Sequence, residues 1–206
     1  MKNTFLFLAR HGETVWNQAQ KFQGDLDSPL TALGKQQAAQ VGEVLSSQSV
    51  DLIVSSNLGR AITSAEICQQ TLAVPLLKDE QLNERNLGTW QGECVDDLTA
   101  HTHYDEALHQ LTHFKPPQGE SAIDCGKRIE QALLNIAKKH IGKRILVICH
   151  GEAKRCLFAT LGTEQQGNAY QLYQNGAVSP LVYDSVEGNL QYLDDRQLLA
   201  SLSISK

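Results

Sequence analysis

No stretch of this 206-residue chain is apolar for long enough to cross a bilayer or to serve as an export signal. The N-terminal apolar run extends only from Phe5 to Ala9 before Arg10 interrupts it. Cysteine is sparse and odd in number. Cys68, Cys94, Cys125, Cys149 and Cys156 are scattered without a Cys-x-x-Cys pair, which suits reduced thiols in a cytoplasmic protein. An excess of basic residues is also missing. A net charge of -5 argues against nucleic acid as a main partner, although it leaves room for a local basic pocket. There is no repeat, low-complexity run or linker, so residues 1–206 are expected to form one domain. The balance of 41% hydrophobic and 20% charged residues is that of an ordinary globular protein.

What is present is an alternation of strand and helix patterns. Phe5–Ala9 can form a buried strand that ends in Arg10, His11 and Gly12. Thr31 is a plausible N-cap for a helix with Ala38, Val41 and Leu45 at helical spacing, running to about Ser46. Residues 50–55 form a short strand. A helix with the face Ile62, Ala65, Cys68 and Leu72 follows and is closed by Pro75. Leu76-Leu77 begins a weak third strand expected to end near Glu84. The pattern then degrades from Arg85 to about Pro117, with short helices expected at 94–99 and 104–112. Beyond the breaker at 116–121, Cys125, Ile129, Ala132 or Leu133, and Ile136 mark a long amphipathic helix. Arg144–Cys149 is the strongest buried-strand signal, and His150-Gly151-Glu152 leads from it into a helix over 153–161. Two late strands, 177–186 and 190–193, are separated by a hairpin turn. The expected fold class is α/β: a three-layer α/β/α arrangement with a mostly parallel central sheet and helices on both faces.

In such a sheet the loops after parallel strands gather on one edge, where ligands bind. Here they would bring together Arg10, His11, Arg60 and His150, with Glu84 from a fourth, weaker strand end. Guanidinium forks hold phosphoryl oxygens, and helix N-termini after Gly59 and Gly151 would add N–H donors. A neutral imidazole can attack phosphorus, and a protonated carboxyl can hand its proton to the leaving alkoxide. His101, His103, His109 and His113 lie in the loosely patterned region without a zinc-site spacing, and are expected to be solvated or part of a lid.

These stretches together resemble the histidine phosphatase superfamily, the phosphoglycerate mutase-like family, over nearly the whole chain. Arg10-His11-Gly12-Glu13-Thr14, with Trp16-Asn17, is similar to its nucleophile motif. Gln23-Gly24 and residues 28–34 match the segment after it. Residues 55–61, with Thr63 and Ala65, match the second arginine motif. Residues 82–92 look like the acid-bearing loop, and Gly119-Glu120-Ser121 and residues 147–151 complete the order. The resemblance implies a phosphoglycerate mutase-like fold with His11 as the phosphorylated nucleophile and Glu84 as general acid or base. Arg10, Arg60 and His150 would bind the phosphoryl group, with Asn17, Gln23 and Gly151 beside them. It implies no metal and no cofactor. Gln91 and Ser64 are small departures from the family pattern, expected not to touch the catalytic set.

Between Glu84 and Pro116 only Arg85 and Lys115 are permanent cations, against six acidic residues including Glu84. A mutase must hold a second anionic group, so this balance favours water as the acceptor and a phosphomonoesterase. The family's mutases also carry a longer, more basic insertion there. The expected partner is a small phosphate ester with a bulky, moderately charged leaving group. The Gly88–Gly92 segment looks like that of α-ribazole-5'-phosphate phosphatases of cobalamin nucleotide-loop assembly. Broad-specificity sugar-phosphate and fructose-2,6-bisphosphate phosphatases share almost the same features. A phosphoglycerate mutase or a non-catalytic phospholigand-binding protein stands behind them. A lid over residues 85–117 and a homodimer complete the expectations.

Overall fold

The computed structural model describes residues 3–163 and 169–193. In chain order the elements are β1 (Thr4–Arg10), α1 (Val15–Gln18), α2 (Ala32–Leu45), β2 (Leu52–Ser55), α3 (Gly59–Leu72) and β3 (Leu76–Lys78). They continue with α4 (Val95–Leu98), α5 (Tyr104–His109), α6 (Ala122–Lys139), β4 (Arg144–Cys149), α7 (Gly151–Thr160), α8 (Ala169–Leu172), β5 (Val178–Asp184) and β6 (Asn189–Tyr192). The sheet order is β3-β2-β4-β1-β5-β6. Pairings among β3, β2, β4 and β1 are parallel, whereas β5 pairs antiparallel with β1, and β6 antiparallel with β5.

Alternation along the strands sorts their side chains between two cores. Leu6 and Leu8 of β1, with Ile145 and Val147 of β4, pack on α6 and α7. Phe7 and Ala9, with Leu146 and Ile148, pack on α2 and α3. A strand buried on both faces must be apolar at every position, which accounts for the unbroken run in β1. The two helix pairs make the outer layers expected for α/β/α. Helix α2 begins at Thr31, whose hydroxyl accepts the Gly34 N–H at 3.0 Å. Helix α6 buries the whole expected stripe, Cys125, Ile129, Ala132, Leu133 and Ile136, and Ser121 caps it through the Asp124 N–H.

The third strand differs most from its expected extent. β3 stops at Lys78, and a short helical turn over Glu80–Leu82 follows. Asp79 caps that turn through the Gln81 N–H, so the chain leaves the sheet edge well before Glu84. The 85–117 segment forms its own apolar cluster of Leu87, Trp90, Ala107 and Leu108 with Phe22. Among the described residues no helix is long and apolar enough to cross a membrane.

Candidate active site

The ends of three adjacent parallel strands lie level, with Arg10 opposite Cys149 and Ser55 opposite Ile148. His11, Ser56 and His150 therefore emerge side by side. The His11 and His150 rings sit 5.1 Å apart. A side chain at Gly12 would place its Cβ 2.0 Å from the Gly34 carbonyl oxygen, so only glycine lets the His11 loop pass the start of α2.

His11 is buried, and its Nδ1 lies 2.7 Å from the Gly12 carbonyl oxygen. A carbonyl only accepts, so Nδ1 carries the proton and Nε2 the lone pair. Arg60 donates its Nε–H to that Nε2 at 3.2 Å. Burial first, then the charges of Arg60 and Arg10, hold the imidazole well below its ordinary value of 6.5.

His150 carries the opposite tautomer. The Ser56 hydroxyl donates to Asn83 Oδ1 at 2.8 Å and accepts the Leu58 N–H at 3.2 Å. Its contact with His150 Nε2 at 2.7 Å must therefore be a bond donated by the imidazole. Nδ1 is left with the lone pair, buried and, among the described residues, without a hydrogen-bond partner. Burial and the charge of Arg60 push this histidine's pKa well down too. A phosphoryl dianion would favour a proton on that Nδ1, which could then donate to the ligand.

Arg60 lies in the first turn of α3 and is 1% exposed. Its guanidinium donates to the carbonyl oxygens of Leu26 at 2.7 Å and Gly24 at 2.8 Å, and to Asp27 Oδ1 at 3.1 Å. Arg10 donates Nη1–H to the Tyr173 carbonyl oxygen at 2.7 Å. A Cβ at Gly151 would lie 3.1 Å from Arg10 Cζ, so the glycine lets the guanidinium pack against the helix start. Asn17, Gln23, Glu84 and Gly151 border the same cavity as Arg10, His11 and Arg60. Gln23 Oε1 is buried there without a partner. The structure thus brings seven of the eight expected site residues to one cavity wall, with His150 behind against His11.

Glu84 reaches this cavity from a loop rather than a strand end. Arg128 of α6 holds the loop by donating to the Gln81 and Asn83 carbonyl oxygens at 2.8 and 3.0 Å. Glu84 Oε1 accepts the N–H of Arg85 at 2.9 Å and of Ala153 at 2.8 Å, and Oε2 accepts that of Glu152 at 3.2 Å. Those bonds and Arg60 favour the anion, but burial, aided by the nearby Glu152 charge, outweighs them and raises the carboxyl pKa. The expected role of the two helix starts is corrected here. The Glu152 and Ala153 N–H groups of α7 serve Glu84, and the Arg60 N–H of α3 serves Asp27 Oδ1 at 3.2 Å, so a carboxylate of this chain already sits at each helix start.

Above the floor the cavity is walled by Phe22, Leu87, Val95, Tyr104, Leu108 and Ala169. Neither cation of the 85–117 segment reaches it. Lys115 pairs with Asp124 at 2.8 Å. Arg85 is wholly buried, donating to the Ala107 and Glu120 carbonyl oxygens and, at 3.3 Å, to Glu152.

Residues 6–196 match the family model of the histidine phosphatase superfamily, branch 1. The chain belongs to the histidine phosphatase superfamily. Among its superfamily relatives, a Yersinia enterocolitica protein provisionally assigned as the phosphoglycerate mutase GpmB is 35% identical over 158 residues, 76% of this chain and 74% of that protein. The solved structure of Bacillus stearothermophilus YhfR superposes with a TM-score of 0.83 at 30% identity, covering 93% of this chain and 96% of that one. An Escherichia coli K-12 structure, provisionally assigned as an α-ribazole-5'-phosphate phosphatase, gives 0.75 at 26% identity, covering 92% and 94%.

Several residues that build this histidine phosphatase site escape a reading of the motifs. Ser64 was expected to stand clear of the catalytic set, but its hydroxyl accepts the Gly12 N–H at 3.0 Å and donates to the Arg60 carbonyl oxygen at 2.8 Å. Gln91 Oε1 accepts the Asp25 N–H at 2.9 Å beside Gly24, shaping the loop that holds Arg60. Burial penalises the Glu152 carboxylate, yet Arg155 at 2.9 Å and Arg85 hold its pKa below the ordinary value. Its place after His150-Gly151 was the signal that could have singled it out. Cys149 and Cys156 are packing residues; burial pushes the Cys149 thiol up to about 12.

Proposed function

We propose that this protein is a metal-independent phosphomonoesterase that works through a phosphohistidine on His11. The observation that carries the reading is the tautomer of His11. Its Nε2 lone pair is held in a buried, cationic site by the Nδ1–H bond to the Gly12 carbonyl. As the lone pair forms the N–P bond, the ester P–O bond breaks and the electrons leave with the alkoxide oxygen. Glu84, whose carboxyl pKa burial raises, gives that oxygen its proton. The Arg60 Nε–H, which caps Nε2 before substrate binds, turns to the phosphoryl oxygens that Arg10 and His150 also hold. In the second half, Glu84 takes a proton from water, whose oxygen attacks phosphorus. Inorganic phosphate leaves and neutral His11 returns.

The apolar walls support a leaving group of little charge, with α-ribazole 5'-phosphate as the ester to test first. Broad-specificity sugar-phosphate or fructose-2,6-bisphosphate hydrolysis is the alternative. The likeness to a protein assigned as a phosphoglycerate mutase favours a mutase reading. Against it stands a chamber that, among the described residues, is bordered by no lysine or arginine beyond Arg10 and Arg60. The test is a comparison of kcat/KM over α-ribazole phosphate, an aryl phosphate, fructose 2,6-bisphosphate and 3-phosphoglycerate, with and without EDTA. Hydrolysis of the first two, unaffected by EDTA and exceeding that of the last two, is expected. Phosphate exchange between the two phosphoglycerates as the main activity would overturn the reading, as would turnover abolished by EDTA and restored by a divalent ion.

A further inference from the structure

We infer that Asn175 is a positioning residue of the phosphate site: its amide group turns the Asn17 –NH2 toward the bound anion and tethers the backbone of His11. The inference rests on the phosphoryl-binding role proposed for this cavity. Asn175 lies outside the cavity lining, in the bend between Tyr173 and β5. Its Nδ2 donates to the His11 carbonyl oxygen at 3.0 Å and to Asn17 Oδ1 at 3.3 Å. Both hydrogens of that amide nitrogen are therefore used, and both on residues of the site.

The consequence for Asn17 follows from counting donors. Asn17 Oδ1 also accepts the Thr14 N–H at 3.2 Å. A backbone N–H and an amide –NH2 can only donate, so the Asn17 group facing them must be its oxygen. A half-turn of the Asn17 amide would break both bonds and set donors against donors. The Asn17 nitrogen is thereby left to the cavity it borders, where a donor attracts a phosphoryl oxygen and an acceptor would repel it. Asn17 itself is fixed by a capping box, in which its N–H goes to Thr14 Oγ1 at 3.1 Å.

The same bend holds the other side of the site. The Gly176 N–H donates to the Arg10 carbonyl oxygen at 3.1 Å, and the Arg10 N–H donates to that of Ala177 at 3.2 Å. Arg10 Nη1 reaches the Tyr173 carbonyl oxygen at 2.7 Å. A stretch of five residues, more than 160 positions from His11 in sequence, thus sets one arginine, the nucleophile's backbone and one amide. What the bend contributes to those bonds is backbone except at Asn175, which gives its side chain, so Asn175 can be altered without rewriting the backbone.

The test measures binding of inorganic phosphate and of orthovanadate by calorimetry, alongside KM and kcat for an aryl phosphate and the melting temperature. Asn175→Asp keeps the shape but replaces two donors by an acceptor facing the His11 carbonyl and Asn17 Oδ1. It is expected to weaken phosphate and vanadate binding and to raise KM by about tenfold or more. Asn175→Ala is expected to do so by severalfold, with its effect much reduced in an Asn17→Ala background, because the two residues act through one group. A melting temperature that falls while phosphate affinity stays at the wild-type value would overturn the inference. So would additive effects of Asn17→Ala and Asn175→Ala. The binding readout separates this from the phosphatase reading: lost phosphate affinity in Asn175→Asp supports the positioning role even in a protein that hydrolyses no ester. A wild type that bound no phosphate would overturn both.

Discussion

The floor of the site and the segment above it use the same residue type in opposite ways. The chain has seven histidines. His11 and His150, on the floor, are 2% and 0% exposed, and one hydrogen bond each decides their tautomer. In the segment above, His103 is half exposed and pairs with Glu106 at 3.1 Å, and His109 pairs with Asp105 at 3.1 Å. His101 and His103 pack on Trp90 and Phe114 rather than on a ligand site. Burial among cations makes the floor imidazoles poor proton acceptors with a directed lone pair. Water around the others leaves them as surface groups. On the proposed function, reaction and alcohol are set separately: the floor by hydrogen bonds between strand ends, the chamber by the apolar cluster of the 85–117 segment.

The largest break in this division comes from the floor. His11→Ala is expected to lower kcat by about 10⁴-fold or more for every ester, with the fold retained by circular dichroism. A loss confined to one ester would mean that the chamber, not the floor, carries the chemistry.

Next in size is Glu84→Gln, expected to cost about 10²- to 10³-fold with an alkyl ester and much less with an activated aryl phosphate, whose leaving group needs no proton. The pH profile follows from the shifts. Burial holds His11 below 6.5, so activity persists on the acid side until His11 is protonated. Burial raises the Glu84 carboxyl above 4.5, so activity falls on the alkaline side as that proton is lost. Glu84→Gln should remove the alkaline limb and keep the acid one. Stability has its own sign. The unfolded chain takes up protons on both histidines that the folded state refuses, so stability should fall as pH drops through 6.5.

A smaller effect should alter the chamber alone. Val95→Arg places a cation among the apolar walls, and is expected to raise kcat/KM about tenfold for esters bearing a second anion relative to an uncharged aryl phosphate. Equal changes for both substrates would show that the chamber does not sort alcohols by charge.

The smallest is Ser64→Ala. It leaves the Gly12 N–H unpaired beside the nucleophile, at about 1–3 kcal/mol of stability and a few-fold in kcat, read by denaturant melts and steady-state rates. An unchanged melt would mean that another group takes up the Gly12 N–H.

Much of this was legible before the fold was known. The unbroken apolar runs in β1 and β4, the Thr31 cap and the α6 stripe follow from local physics, since cap geometry and periodicity act within a few residues. The rule that ligands bind beyond parallel strand ends then placed His11, Arg60 and His150 together. The same rule misled for Glu84, because β3 ends early and the loop owes its path to Arg128, 44 positions away. It misled again for the helix starts, whose donors are taken by Asp27 and Glu84.

What the sequence determined by itself is the layer order, the strand ends and the identity of the chemical groups, because each depends on patterns of period two or 3.6 and on short motifs. The tertiary structure alone decided which nitrogen of each histidine carries the proton, which side of the Asn17 amide faces the cavity and why the 85–117 cations stay out of it. The His150 and Asn17 outcomes rest on hydrogen bonds between residues far apart in the chain, Ser56 with His150 and Asn175 with Asn17. A bond of that kind leaves no periodicity to read. It exists only once the fold has brought its two ends within hydrogen-bonding reach.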